Sequence, residues 1–89
     1  MISDRISRAL FTKTQRAVLG LLFANVERAY HLRGILRESG IGQGTIQREL
    51  QRLTEAGIIL REKQGQQVLY RANRNSPVFP ELHGLIIKT

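Results

Sequence analysis

The sequence contains no cysteine among its 89 residues. Disulfide bonds, thiolate metal sites and a cysteine nucleophile are therefore excluded, and a reducing compartment such as the cytoplasm suits the chain. The two histidines, His31 and His83, are isolated in sequence. We therefore predict that the chain holds no metal and no other cofactor. No apolar run approaches the roughly 20 residues of a membrane-spanning helix, so no membrane contact is expected.

Acidic and aromatic residues are also scarce. The seven acids are scattered along the chain, and most have an arginine or lysine beside them or at helical spacing. That arrangement is typical of solvated charge partners and not of a catalytic pair, so we predict that the chain is not an enzyme. The aromatics are two tyrosines and three phenylalanines. They offer few platforms on which RNA bases could stack, which makes RNA the weaker nucleic-acid partner.

Basic residues are abundant. Fourteen lysines and arginines give a net charge of +7, and eleven of them are arginine. The planar guanidinium fork matches phosphate groups and guanine edges, and a strongly basic small domain is typical of nucleic-acid binding. The alternative is a basic surface without a partner. The length of 89 residues predicts a single domain over 1–89, and the apolar content of 42% is that of an ordinary globular chain.

Hydrophobic spacing and glycine stops predict a mostly α-helical fold with a small β-hairpin. Thr12 or Thr14 is a candidate cap for a central helix, and Gly40 and Gly57 are candidate helix ends. Two short helices joined by a tight turn are a helix-turn-helix, expected over 31–57. In chain order we expect an N-terminal segment over 1–11, a helix over about 14–25, an extended stretch over 27–32, helices over 31–40 and 43–57, a hairpin over 58–72 and a C-terminal helix over 76–89.

The stretch GIGQGTIQREL, residues 40–50, opens the second helix of this motif. At about 100° per residue, Ile46, Leu50 and Leu53 share a core-facing sector, and Glu49 is expected as the only acid on the opposite side. Amides, hydroxyls and guanidinium groups are the groups that read base edges in the major groove. The alternative is an ordinary solvated face. The predicted DNA-reading residues are Gln43, Gly44, Thr45, Gln47, Arg48, Gln51 and Arg52.

The hairpin carries its own polar tip, KQGQQ, at residues 63–67. One interpretation is a wing whose Lys63, Gln64 and Gln66 lie along the DNA backbone or in the minor groove. The other is a polar hairpin tip with no partner. Arg61 and Arg71 are candidate phosphate contacts, and the strand register decides which of them faces DNA.

These residues resemble the winged helix-turn-helix regulators of the ArsR/MarR type. The resemblance rests on LRGILRESGIGQGTIQRELQRLTEAGIILREKQGQQVLYRAN, nearly half of the chain. It implies base or phosphate contacts by Gln43, Thr45, Gln47 and Arg48. With LFTKTQRAVLGLLF and SPVFPELHGLIIKT added, the chain looks like the small winged-helix domains that precede nucleotidyltransferase domains in some prokaryotic proteins. It lacks the Gly-Ser and spaced aspartates of that enzyme, so a stand-alone protein and a shortened one both remain open.

The two ends of the chain are rich in apolar residues. They exceed what one small core can bury, so we expect them to form a homodimer interface; the alternative is that the last helix folds back on its own core. The leading prediction is a sequence-specific, double-stranded-DNA-binding transcriptional regulator that places residues 43–56 in the major groove. The alternative is a protein-interaction module that serves a nucleotidyltransferase. The apolar end residues are Ile2, Ile6, Leu10, Phe79, Leu82, Leu85, Ile86 and Ile87.

Overall fold

The computed structural model describes residues 4–87. Residues 1–3 of the predicted N-terminal segment, residues 88 and 89 of the predicted C-terminal helix, and the side chain of Ile6 lie outside what it describes. The predicted mostly helical fold with a β-hairpin is confirmed. Its elements are α1 (Asp4–Leu10), α2 (Lys13–Ala24), β1 (Tyr30–His31), α3 (Leu32–Ser39), α4 (Gln43–Glu55), β2 (Ile59–Gln64), β3 (Gln67–Ala72) and α5 (Phe79–Ile87).

The helix boundaries follow the local sequence signals. Thr12 caps α2 in a reciprocal pair, because its hydroxyl accepts from the Gln15 amide at 3.1 Å and its own amide donates to the Gln15 side chain at 3.0 Å. Gly40 ends α3 with φ 68°, in the left-handed region that favours glycine. Residues 40–42 then form the tight turn, and α4 begins at Gln43.

The end of α4 directs the chain into the sheet. Gly57 has φ 75° and donates its N–H to the Thr54 carbonyl at 3.0 Å, while Ile58 donates to the Leu53 carbonyl at 3.0 Å. These two bonds satisfy carbonyls in the last turn of the helix, as in a Schellman motif. The strand β2 therefore starts at a defined angle to α4, immediately after its last turn.

The sheet has three antiparallel strands in the order β1-β3-β2. The expected extended stretch over 27–32 contributes only the two residues of β1, which pair with Tyr70 and Leu69 of β3. Strands β2 and β3 pair from Ile59 opposite Ala72 to Gln64 opposite Gln67. The two-residue turn between them begins with Gly65, whose φ is 62°. A glycine at this position suits the tight turns that match the twist of a hairpin.

Helix α2 lies at the centre of the core, as its apolar sequence predicts. Its Val18, Leu22 and Phe23 have no exposed surface, and the helix packs against α3, α4, α5 and β3. Packing against α2 therefore fixes the position of the helix-turn-helix relative to the sheet. The other fully buried large side chains come from α3, α4, β2 and α5 and are Ile35, Ile46, Leu50, Ile59 and Ile86.

The last helix begins at Phe79, three residues later than the expected start at 76. Ser76 is buried, and its hydroxyl accepts from the Val78 amide at 3.3 Å, so Ser76 forms a turn ahead of the helix. Phe79 stacks on Phe23 with ring centroids 5.6 Å apart. Part of the C-terminal apolar pattern therefore packs on the chain's own core.

Candidate nucleic-acid interface

The polar face of α4 is exposed along its whole length. All seven residues that the sequence assigns to it are exposed, whereas Ile46, Leu50 and Leu53 are buried. The face follows the tight turn of the helix-turn-helix and carries no side chain at Gly44. The exposed predicted residues are Gln43, Gly44, Thr45, Gln47, Arg48, Gln51 and Arg52.

The prediction that Glu49 lies on this exposed face is wrong, because Glu49 is only 7% exposed. Glu49 is three residues after Ile46 and four before Leu53, and residues at those spacings share one side of a helix. The sector that faces the core is therefore wider than the three apolar residues indicate. As a consequence, the exposed face over residues 43–54 has no acid, and the first exposed acid on α4 is Glu55.

Arg52 is the ion-pair partner of this buried carboxylate. Its Nη1 donates to Oε1 of Glu49 at 3.0 Å, while Oε2 of Glu49 is buried with no hydrogen-bond partner among the described residues. The Arg52 side chain is itself 66% exposed. Arg52 therefore pairs with the buried carboxylate of Glu49, while much of its own side chain stays exposed to solvent.

Replacing Arg52 with alanine is expected to lower the free energy of unfolding by about 1 kcal/mol, because Glu49 loses its partner and solvent screens the exposed arginine only in part. Gln51→Ala is the matched control: Gln51 is an exposed neighbour, and its loss is expected to change stability by less than about 0.5 kcal/mol. Urea denaturation of both variants measures the difference. Equal midpoints for the two variants would contradict this role of Arg52.

Two further contacts order side chains on the α4 face. Arg48 Nη2 donates to the Thr45 hydroxyl at 3.4 Å, and a Cβ added at Gly44 would lie 3.6 Å from Arg48 Nη1. The Arg48 guanidinium therefore lies over the first turn of α4. Gln51 donates to Glu55 at 3.2 Å, one turn further on. The N-terminal half of a recognition helix is the part that reaches bases, and Arg48 is held there.

The strand register resolves the choice between Arg61 and Arg71. Arg61 pairs with Tyr70, and Arg71 pairs with Leu60, so the two arginines lie on opposite faces of the hairpin. Arg71 Nη2 donates to Glu62 Oε2 at 3.1 Å, and Arg71 Nε is buried with no hydrogen-bond partner in the described part of the chain. Arg61 is exposed on the face that α4 packs against. Arg61 is thus the better placed of the two beside α4.

A groove of about 380 Å³ separates the second half of α4 from the hairpin. Tyr70 lines it and was not among the residues predicted from the sequence, because only the register places Tyr70 opposite Arg61. Alternation along β2 places Lys63 on the same face as Arg61, nearer the exposed tip with Gln64 and Gln66. The residues around the groove are Gln47, Gln51, Thr54, Glu55, Arg61 and Tyr70.

The described residues contain no group of three or more histidines and acids close enough to hold a metal ion. Within residues 4–87 no helix is long and apolar enough to cross a membrane. His31 is exposed, and His83 is half-buried and stacks on Phe79 with ring centroids 5.1 Å apart. The chemistry of this part of the surface is therefore that of hydrogen-bonding side chains: the groove beside α4 is lined by amides, a hydroxyl and a phenol, with Arg61 and Glu55 as its two charged residues.

No protein-family model matches the chain, and no curated protein is significantly similar to it. Solved structures are similar to it. The iron-bound ferric uptake regulator of Francisella tularensis is 28% identical with a TM-score of 0.64, over 73% of this chain and 54% of the regulator. Lactococcus lactis ZitR, solved in complex with DNA, is 21% identical with a TM-score of 0.63, over 83% of this chain and 51% of ZitR. The chain thus spans about half the length of these two proteins.

A third similar structure is a homodimeric winged helix-turn-helix DNA-binding domain from Mycobacterium bovis, described as a possible ArsR-family transcriptional regulator. It is 21% identical with a TM-score of 0.57, over 97% of this chain and 84% of that domain. The resemblance to winged helix-turn-helix regulators is confirmed at the level of the fold. None of these three structures is described as a nucleotidyltransferase, so they lend no support to that partner.

Proposed function

We propose that the chain is a sequence-specific, double-stranded-DNA-binding transcriptional regulator. The observation that carries the proposal is the exposed face of α4, where amides, a hydroxyl and guanidinium groups extend over residues 43–54 without an exposed acid. Such a helix enters the major groove. Arg48 has the donors that pair with a guanine edge, and Gln47 has the donor and the acceptor that pair with an adenine edge. The net charge of +7 adds a favourable phosphate term that does not depend on sequence.

The hairpin completes the proposed interface as a wing. Arg61 and Lys63 lie on the face that borders α4, so both are assigned to phosphate or minor-groove contacts beside the helix. Gln64 and Gln66 at the exposed tip are assigned to the same contacts. Arg71 is assigned a lesser part, because its guanidinium is already bonded to Glu62.

A homodimer through the terminal helices belongs to this proposal. Helix α1 packs extensively against no other described element, and its Leu10 is 58% exposed. Val78, just before α5, is 46% exposed. Apolar surface of this kind is commonly covered in a dimer, and the similar Mycobacterium bovis domain is homodimeric. Two copies would read two half-sites about one turn of DNA apart.

Replacing Leu10 with aspartate is expected to convert the dimer to a monomer, because a charge would then be buried without a partner in the interface. The chain has a mass of 10.1 kDa. Sedimentation velocity at tens of micromolar should therefore give a species of about twice that mass for the unsubstituted chain. Asn75→Asp, which adds the same charge at an exposed turn, should stay dimeric. A monomeric unsubstituted chain at this concentration would refute the dimer.

Selection from a pool of random duplexes tests the reading of sequence. The proposal expects enrichment of an inverted repeat whose half-sites are about 10 base pairs apart, because the dimer has two-fold symmetry. If the chain binds duplexes but no motif is enriched, the surface is basic and does not read sequence. Absence of duplex binding would refute the proposal and favour the protein-interaction module as the alternative.

A further inference from the structure

A second basic surface lies between α3, β1 and the hairpin. It is a cleft of about 730 Å³, which we call the arginine cleft, and its defining side chains are Arg28, Arg33, Arg37, Gln43 and Gln67. None of the three arginines is among the DNA-binding residues predicted from the sequence. They come from the segment before β1 and from α3, and the fold brings them to one cavity.

Among the described residues, the guanidinium groups of the three arginines of the cleft have no hydrogen-bond or ion-pair partner. Within residues 4–87, Arg28, Arg33 and Arg37 make no ion pair and no side-chain hydrogen bond, whereas Arg52 and Arg71 are each bonded to a glutamate. The guanidinium carbon of Arg28 instead lies over the Tyr30 ring, 4.5 Å from its centroid. This stacking orients the Arg28 fork and leaves its N–H groups unbonded.

Helix α3 adds to the positive character of the cleft. Arg33 and Arg37 are four residues apart and therefore share one face of α3. Gly34 lies beside them on the helix and has no side chain. The Arg37 guanidinium lies close to it, because a Cβ added at Gly34 would be 3.9 Å from Arg37 Nη2. The first turn of α3 contains no acid, and His31 provides no side-chain cap. Among the described residues that line the cleft, Glu38 is the one acid beside the three arginines.

We infer that the arginine cleft is a phosphate-binding site. Unbonded guanidinium forks and amide N–H groups are the donors that phosphate oxygens accept, and charged bonds of this kind are the stronger hydrogen bonds in proteins. The volume lies in the range of about 300–1,000 Å³ that is typical of small-molecule sites, which is ample for two adjacent phosphate groups. The phosphate belongs either to a DNA backbone or to a free phosphorylated molecule.

The cleft adjoins the proposed DNA-reading surface at two points. Gln43 is the first residue of α4, and Gln67 is the first residue of β3 after the wing tip. An anion held in the cleft would therefore lie close to the start of α4 and to the wing. The site goes beyond the proposed function and does not depend on it, because a free phosphate would bind there whether or not α4 reads DNA.

Pyrophosphate is the probe for the first arm of the test, with no DNA present. Titration into the ¹⁵N-labelled chain should shift the backbone amides of residues 28–34 and 67–68. The double variant Arg33→Gln/Arg37→Gln should bind pyrophosphate at least about tenfold more weakly. Arg48→Gln/Arg61→Gln is the matched control, since it removes the same charge outside the cleft, and it should stay within about twofold of the unsubstituted chain. All four positions are exposed, and circular dichroism checks that both variants fold.

The second arm uses a duplex and identifies the source of the phosphate. If the cleft holds DNA phosphates, the double variant Arg33→Gln/Arg37→Gln should bind DNA with a weaker salt dependence. The slope of log affinity against log salt concentration should become smaller in magnitude by about 2. A loss of pyrophosphate binding with an unchanged salt slope supports the site and assigns it to a free phosphorylated molecule. Equal pyrophosphate losses in the two double variants, with an unchanged salt slope in the cleft variant, would overturn the inference. Pyrophosphate binding in the cleft by a chain that binds no duplex would refute the proposed function alone.

Discussion

Arg48→Ala is expected to weaken binding to the selected DNA site by about 1–3 kcal/mol and to relax the preference for that site. The reason is that Arg48 lies over the first turn of α4, where its fork is held beside Thr45 and Gly44 and faces solvent. A bidentate pair with guanine would be lost, together with one charge. Anisotropy titrations with the selected site and with a scrambled duplex of equal length measure both effects.

Lys63→Ala is the matched control for Arg48→Ala. It removes one positive charge from the exposed hairpin, so it should weaken binding to both duplexes alike and reduce the salt slope by about 1. The contrast between the two variants separates base reading from charge. If Arg48→Ala reduced the affinity for both duplexes equally, Arg48 would be only a phosphate contact.

Phe23→Ala is expected to lower the free energy of unfolding by about 3–5 kcal/mol, which is a large part of the stability of a small domain. Phe23 has no exposed surface, and its ring stacks on Phe79 from α5 at 5.6 Å. The change would leave a cavity at the junction of α2 and α5. Urea denaturation followed by circular dichroism measures the loss.

Two control variants keep the Phe23 prediction testable if the alanine variant does not fold. Phe23→Leu retains most of the buried volume and should cost less than about 1.5 kcal/mol. Phe11→Ala removes a partly buried ring at the edge of the core and should cost clearly less than Phe23→Ala. Equal losses for Phe11→Ala and Phe23→Ala would show that α2 is not the centre of the core.

Local signals in the sequence were sufficient for the order and type of most elements. Thr12, Gly40 and Gly57 mark helix ends through capping and positive φ, which depend on a few neighbouring residues. The pairing of β1 with β3 was missed, because two residues carry no periodicity and the contact joins Tyr30 to Tyr70, which are far apart in sequence. The start of α5 was also placed too early, since Ser76 and Pro77 mark a turn as readily as a helix start.

The candidate site was also predicted only in part, because some of its features depend on how distant parts of the chain pack. Helical spacing predicted the exposed face of α4, yet it placed Glu49 on that face wrongly. A helical wheel based on three apolar residues does not show how wide the core-facing side of the helix is. The choice between Arg61 and Arg71 needed the strand register and the ion pair to Glu62. The arginine cleft was missed because Arg28 and Gln67 meet only in the folded chain. A pair of arginines four residues apart around Gly34 was the one signal available in the sequence.

The central claim is that α4 reads base edges and is not merely part of a basic surface. The most direct measurement is an anisotropy titration with DNA from upstream of the chain's own gene and with random duplex, at two salt concentrations. We expect the preference for upstream DNA to persist as salt rises, because base contacts are less sensitive to salt than phosphate contacts. Equal affinity for both duplexes, lost together at the higher salt, would contradict the claim.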